Sequence, residues 1–117
     1  MTTTYAILLP GDEDRWAAAG PEQREATYAR HGRFAQTLTE RGHRVVGGAE
    51  LAPSREAKVV RGDPGRLLIT DGPYAEAAEQ LTGFYLVESD DLDDLAQICG
   101  LLADGEGIEI RACVPPA

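Results

Sequence analysis

The chain has 117 residues, of which 43% are hydrophobic and 26% are charged, and its formal net charge at pH 7 is −9. This length and composition are typical of a soluble globular protein, so residues 1–117 are predicted to form a single domain. Direct nucleic-acid binding is not expected, because it requires clustered Lys and Arg to neutralise phosphates. No apolar run is long enough to cross a bilayer, so no membrane partner is expected either.

The cell compartment is predicted from the N-terminus and the cysteines. The first residues, Met-Thr-Thr-Thr-Tyr, lack the basic and apolar regions of a signal peptide. Cys99 and Cys113 have neither metal nor redox spacing and are interpreted as two reduced thiols. These features predict a cytoplasmic protein.

The first half of the chain contains a strand, a loop and a long helix. Thr3 to Leu9 is a β-branched and aliphatic run ended by a Pro-Gly pair, which predicts a strand in the interior of a sheet. Asp12 to Gly20 is predicted to be a loop, with Trp16 folded back onto the body of the domain or onto a partner subunit. A lid over a pocket is the alternative for Trp16. Pro21 to Arg41 predicts a helix, because proline suits its first position and a glycine follows its end.

Five further elements are predicted in the second half. They are a strand at Val45 to Leu51 in which Gly47-Gly48 either weakens the strand or marks a bulge, a hairpin of Ala57 to Arg61 with Arg66 to Thr70, a strand at Thr82 to Glu88, a helix capped by Asp90, and a strand at Ile108 to Cys113. The order βαβ, hairpin, βαβ predicts the α+β class, namely a ferredoxin-like split βαβ fold with an added β-hairpin. A sheet covered by two helices leaves one apolar face uncovered, which makes pairing of two copies plausible.

The segment between the hairpin and the next strand forms a rigid corner. Asp71-Gly72-Pro73 breaks the apolar run, since proline fixes φ and glycine accepts strained geometry. The sequence from 71 to 88, DGPYAEAAEQLTGFYLVE, resembles the signature of the DGPF-domain proteins, a branch of the YCII-related family. Similar runs stand at 5–9, 48–51, 58–61 and 108–111.

The resemblance implies the same α+β layout, and it adds an assembly. It implies a homodimer in which two sheets meet face to face as a dimeric α/β barrel. Genes of the DGPF type often accompany extracytoplasmic-function sigma factors, so the resemblance also implies a sigma factor as a candidate protein partner.

The candidate acid–base residues are His31 and Asp71. His31 lies at the middle of a helix face that spans about 120° and ends at Leu38. A buried imidazole needs hydrogen-bond partners, and a carboxylate would fix its tautomer and favour its protonation. The YCII resemblance implies a histidine–aspartate pair, which by motif position corresponds to His31 and Asp71. The alternative is a satisfied core histidine and an aspartate that stabilises its own turn.

Three further residues are candidates for contact with a small organic ligand: Tyr28, Tyr74 and Glu76. The tyrosines are alternatively core or interface aromatics. His43 is expected to be exposed and inert, and Cys99 is expected to be a small core residue rather than a nucleophile. No Gly-rich phosphate loop or paired-cysteine site is present and the two histidines are far apart in sequence, so neither a cofactor nor a metal is expected.

The sequence supports two functional hypotheses, and it leaves open whether the protein is an enzyme. In the first, the His31–Asp71 pair carries out acid–base chemistry, such as hydrolysis, elimination or isomerisation, on a small organic ligand. In the second, the protein is a non-catalytic dimeric module for ligand sensing or protein interaction, linked to an extracytoplasmic-function sigma factor.

Overall fold

The structure is a computed structural model that describes residues 2–116. Its helices and strands, in chain order, are β1 (Thr3–Gly11), α1 (Glu13–Ala17), α2 (Pro21–Glu40), β2 (Arg44–Glu50), β3 (Lys58–Asp63), β4 (Arg66–Asp71), β5 (Gln80–Ser89), α3 (Leu92–Cys99) and β6 (Glu109–Ala112). Short 3₁₀ turns lie at Ser54–Glu56 and Gly100–Leu102. None of the helices within residues 2–116 has the length and apolar character needed to cross a membrane.

Four strands form an antiparallel sheet in the order β2-β5-β1-β6. This order, with α2 and α3 as the two crossover helices, is that of the ferredoxin-like α+β fold, so the predicted fold class is confirmed. β1 lies in the interior of the sheet, as its unbroken apolar run predicts. Across residues 2–116 the sheet stays open, so a single chain contains no closed barrel.

The hydrophobic core lies between the sheet and the two long helices. Alternate residues of β1 and β5, among them Ile7 and Val87, point towards the helices and are fully buried. They pack with Phe34 and Leu38 of α2 and with Leu95 of α3, which are also fully buried. Each such side chain contributes about 1.5–3 kcal/mol by burial. Because the buried residues of α2 lie in its C-terminal half, its N-terminal half is left free to form the wall of a cleft.

The prediction of a loop at Asp12 to Gly20 is wrong, because residues Glu13–Ala17 form α1. Asp12 caps this helix: its carboxylate accepts a hydrogen bond from Arg15 N at 3.1 Å, and its carbonyl accepts one from Trp16 N at 3.1 Å. A five-residue helix makes little more than one turn, so it has no apolar period that could be read from the sequence.

The two predictions concerning the β2 bulge and the hairpin are confirmed. The β2–β5 register shifts between Val45 and Gly47, so a bulge is present at Val46, immediately before the two glycines. β3 and β4 pair from Lys58↔Asp71 to Asp63↔Arg66 as a separate two-stranded sheet. The cap of the second helix lies one residue later than predicted, at Asp91, whose carboxylate accepts a hydrogen bond from Asp94 N at 3.0 Å.

Candidate functional site

An open cleft of about 1130 Å³ lies beside the N-terminal half of α2. Its walls come from α1, α2, the end of β2, the start of β5 and the segment before β6. The cleft is of a size that suits a small organic ligand, since ligand sites are typically about 300–1,000 Å³. The face of α2 that packs on the core at Phe34 continues towards the start of the helix with His31 and Tyr28, which line the cleft.

His31 lines this cleft, and Tyr85 holds its ring. The Nδ1 atom of His31 is 2.7 Å from the hydroxyl oxygen of Tyr85, which projects from β5 towards α2. The Tyr85 ring also packs on Phe34, with 5.1 Å between ring centroids. Tyr85 is therefore fixed both by the core and by its hydrogen bond, and it orients the imidazole.

The electrostatics of the pair favour a neutral histidine. Burial lowers the pKa of His31, and the neighbouring Arg30 guanidinium lowers it further, while Glu50 acts in the opposite direction. Burial raises the pKa of Tyr85, so its hydroxyl keeps its proton at neutral pH. With both groups neutral, either can donate in this contact; the arrangement in which the Tyr85 hydroxyl donates to Nδ1 leaves the proton of the imidazole on Nε2.

A second polar pair lies one helical turn before His31. The Tyr28 hydroxyl donates to the Glu50 carboxylate at 3.1 Å, and this hydrogen bond is the main reason why the pKa of Tyr28 is raised. Tyr28 is 52% exposed, so it belongs to the cleft wall rather than to the core. Trp16 packs edge-on against Tyr28 at 5.7 Å, as expected for an indole that folds back onto the domain.

Arg24 joins α1 to α2 at the same end of the cleft. Its guanidinium lies 5.1 Å from the centre of the Trp16 ring and donates to the Trp16 carbonyl at 3.1 Å. Within residues 2–116, Arg24 Nε is buried and has no hydrogen-bond partner. A buried unpaired donor is costly, by about 1–3 kcal/mol.

The other predicted site residues lie in different surroundings. Glu76 lines the cleft. Tyr74 does not: it is 81% exposed, and the Arg61 guanidinium lies 5.3 Å from its ring centre. Asp71 is also outside the cleft lining, and its exposed carboxylate pairs with Lys58 Nζ at 2.6 Å. Within one chain the structure thus brings His31 together with Tyr85, and it gives Asp71 a lysine partner on the hairpin.

The prediction that His43 is exposed and inert is wrong in its first part. His43 is buried, its Nδ1 lies 2.8 Å from Ser89 Oγ, and its Nε2 lies 2.8 Å from an Asp94 carboxylate oxygen. Ser89 is equally buried, and its Oγ also accepts a hydrogen bond from Asp91 N at 3.0 Å. A serine that is enclosed and engaged in this way holds the turn that leads into α3. We therefore interpret this Ser–His–Asp chain as a structural link between β2, β5 and α3.

The cysteines and potential metal ligands contribute no further site. Cys99 and Cys113 are free thiols. Burial raises the pKa of Cys99 to about 11, as fits a core residue rather than a nucleophile. Among residues 2–116, no three His, Cys, Asp or Glu side chains are grouped as metal ligands.

Sequence reasoning found His31 and missed Tyr85 and Glu50. Tyr85 lies in the predicted strand Thr82 to Glu88, but the sequence does not show which strand passes beneath α2. The alternation of that strand, which places Tyr85 on the same face as Val87, is the one signal that could have indicated a side chain directed at a helix.

The fold and the cleft define a class of protein: a small ferredoxin-like α+β domain with a helix-borne histidine at an open cleft. The sequence model of the YCII-related domain matches residues 3–105, so the chain belongs to the YCII-related family. An uncharacterised protein of Rhizobium meliloti (strain 1021) is 33% identical over 90 residues, which cover 77% of this chain and 72% of that protein.

Proposed function

We propose that this YCII-related protein binds a small organic ligand in the cleft and transfers a proton to or from it through His31. The observation that carries this proposal is the 2.7 Å contact between His31 Nδ1 and the Tyr85 hydroxyl at the wall of the cleft. A ring held by one nitrogen presents the other in a defined direction, which is the geometry that general acid–base catalysis requires.

In this proposal His31 Nε2 is the reacting atom. The lowered pKa of His31 keeps the ring neutral at pH 7, so Nε2–H first acts as a proton donor to a ligand oxygen. The resulting imidazole anion is too unstable to persist and Tyr85 keeps its own proton, so a proton that Nε2 gives to one ligand atom has to be matched by a proton that Nε2 takes back from another ligand atom. Such shuttling suits isomerisation and elimination, in which a proton leaves one ligand atom and another atom gains one.

The ligand itself is proposed to be an oxygen-rich small molecule. Tyr28 and Glu76 lie at the cleft and are proposed to contact it, and the unpaired Arg24 Nε would be satisfied by a carbonyl or carboxylate oxygen. Tyr74 is exposed in the single chain. We therefore propose its predicted contact with the ligand only for the assembled dimer.

The predicted His31–Asp71 pair also remains a proposal. Asp71 lies on the hairpin and is paired with Lys58, so its carboxylate would have to be supplied to His31 by a second copy of the chain or by movement of the corner. Tyr85 and Asp71 are therefore competing candidates for the residue that orients His31, and their variants separate them.

A homodimer is part of the same proposal. On the sheet face opposite the helices, β1 and β5 carry half-buried apolar side chains such as Leu8, Phe84 and Leu86, which are not part of the core under the helices. Two such faces packed together would form the dimeric α/β barrel that the YCII resemblance implies. We also propose a cytoplasmic location, which is in keeping with two free thiols.

A non-catalytic interaction module is the second candidate function. The exposed apolar side chains of the β3–β4 hairpin and the net charge of −9 favour it, since an acidic surface suits a basic protein partner. An extracytoplasmic-function sigma factor is the partner that the family resemblance implies. Calorimetric titration with a purified sigma factor of this class tests it, and absence of binding at low ionic strength would remove the candidate.

Proton exchange tests the leading proposal before the substrate has been identified. The protein is incubated in D₂O with a panel of small keto acids, hydroxy acids and lactones, and deuterium uptake or product formation is followed by ¹H NMR. We expect turnover of at least one class, reduced about 10²–10⁴-fold in His31→Gln and less strongly in Tyr85→Phe. A larger effect of Asp71→Asn than of Tyr85→Phe would instead favour the aspartate as orienting group. Turnover or binding that is unchanged in His31→Gln would refute the proposal.

A further inference from the structure

The β3–β4 hairpin, residues 58–71, is here named the hairpin arm, and it is poorly covered by the rest of the chain. It pairs with no strand of the four-stranded sheet. Val60, Leu67, Leu68 and Ile69 are between 55% and 60% exposed. A two-stranded hairpin on its own is marginally stable in water, so an arm of this kind needs a surface to pack against.

One face of the hairpin arm is apolar. Val60 lies opposite Ile69 in the register, so these two side chains share one face with Leu67. Leu68 projects from the other face, which it shares with Arg61, Arg66 and Thr70 and which is therefore mostly polar. The apolar face is more than half exposed within its own chain, so it is the face that a partner surface would cover.

The accessible surface area of the chain indicates how much surface a partner would bury. The accessible surface is 8233 Å² for a mass of 12.6 kDa, against roughly 6,200 Å² for a compact monomer of this mass. The radius of gyration is 16.4 Å, against about 13 Å for a compact domain of this length. The excess of about 2,000 Å² is what each chain contributes to a large obligate dimer interface.

The distribution of charge indicates which partner packs against the hairpin arm. The hairpin arm carries Lys58, Arg61 and Arg66 against Asp63 and Asp71, so it is net positive, while the rest of the chain carries a formal charge of −10. The arm, whose net charge is +1, is therefore weakly attracted to an acidic body, and a second copy of this chain offers such a body. In a two-fold dimer each arm would meet the partner's body in the same way.

We propose that the hairpin arm packs against a second copy of this chain, so that the two copies hold each other by exchanged arms. This inference rests on the homodimer proposed above and adds to it the element that secures the two copies. The sheet faces alone would give a dimer that survives loss of the arm, whereas exchanged arms make the dimer depend on Leu67 and Ile69.

Two measurements test the exchanged arms. In the first, ¹³C-labelled and unlabelled chains are mixed, and isotope-filtered NOEs are recorded from the methyl groups of Leu67 and Ile69. In the second, sedimentation gives the dimer dissociation constant of the double variant Leu67→Glu/Ile69→Glu and of the control Val114→Glu. Val114 is 90% exposed and lies off the arm, so the control adds a charge without touching the hairpin.

We expect intermolecular NOEs from the arm methyls, and a dissociation constant raised by about 100-fold or more in the double variant with little change in the control. A wild-type dimer without such NOEs would overturn the exchanged arms and leave the homodimer standing. A wild-type monomer would overturn both, and the arm would then be assigned to a different protein partner. The NOE measurement uses the wild-type chain, so it decides the question even if the double variant fails to fold.

Discussion

Removal of the Tyr85 hydroxyl tests whether the His31–Tyr85 hydrogen bond stabilises the fold or is an incidental contact. Tyr85→Phe keeps the ring that packs on Phe34 and deletes one part-buried hydrogen bond of 2.7 Å. A hydrogen bond of this kind contributes about 0.5–1.5 kcal/mol, and His31 Nδ1 is left without its donor. For a domain of this size the expected fall in Tm is roughly 3–6 °C per kcal/mol.

Tyr5→Phe is the matched control. Tyr5 lies on the same sheet face, packs against the same core, and has no side-chain hydrogen bond within residues 2–116. Urea unfolding of both variants at one fixed protein concentration is the assay, because a dimer makes stability concentration-dependent. We expect Tyr85→Phe to lose about 1 kcal/mol and Tyr5→Phe to lose little. Equal stability of the two variants would refute the claim that Tyr85 holds the imidazole.

The remaining predictions concern pH, the second histidine and two glycines. Folding lowers the pKa of His31 below its ordinary value of 6.5, so the contribution of His31 to stability is complete above pH 6.5 and is lost as the pH falls below that value. The difference in unfolding free energy between wild type and His31→Gln should therefore change below pH 6.5. A difference that does not depend on pH would contradict the lowered pKa. His43→Ala should cost about 2–4 kcal/mol in urea unfolding, because two buried hydrogen bonds disappear, and a cost below about 0.5 kcal/mol would mean that the link is not structural. Gly32→Ala should raise the free energy of unfolding by about 0.5–1 kcal/mol, since a Cβ there meets nothing within 4 Å. Gly48→Ala should lower it, because φ is 145° and a Cβ would lie 2.6 Å from the Phe84 carbonyl oxygen; the opposite order in thermal melts would contradict the β2 bulge geometry.

Most of the fold can be predicted from local sequence signals. The β-branched run Thr3 to Leu9, the Pro-initiated helix and the Gly-Asp-Pro-Gly turn each specify their element within a few residues. The order of these elements then leaves the ferredoxin-like arrangement as the simplest topology. α1 was not predicted, because its stability comes from the Asp12 cap and from the packing of Trp16 on Tyr28. Neither contact produces an apolar pattern in the sequence.

The candidate site was harder to predict because its contacts are long-range. His31 and Tyr85 are 54 residues apart, and His43 and Asp94 are 51 apart. The helical period of α2 placed His31 on the inward face, and His31 lines the cleft, but the partner of its ring depends on which strand lies beneath the helix. His43 looked exposed because it follows a helix end. Its burial comes from Ser89 and Asp94, which the fold brings together from β5 and α3.

The protonation state of the His31 ring tests the central claim most directly. Long-range ¹H–¹⁵N correlation spectra of ¹⁵N-histidine-labelled protein distinguish protonated from unprotonated ring nitrogens and give the pKa from a pH series. We predict a neutral His31 at pH 7 with the proton on Nε2, a pKa below 6.5, and loss of the single tautomer in Tyr85→Phe. A proton on Nδ1 in the neutral ring, or a pKa above 6.5, would contradict the account, because Tyr85 would then not be donating to His31 and the cleft would not hold a poised Nε2–H.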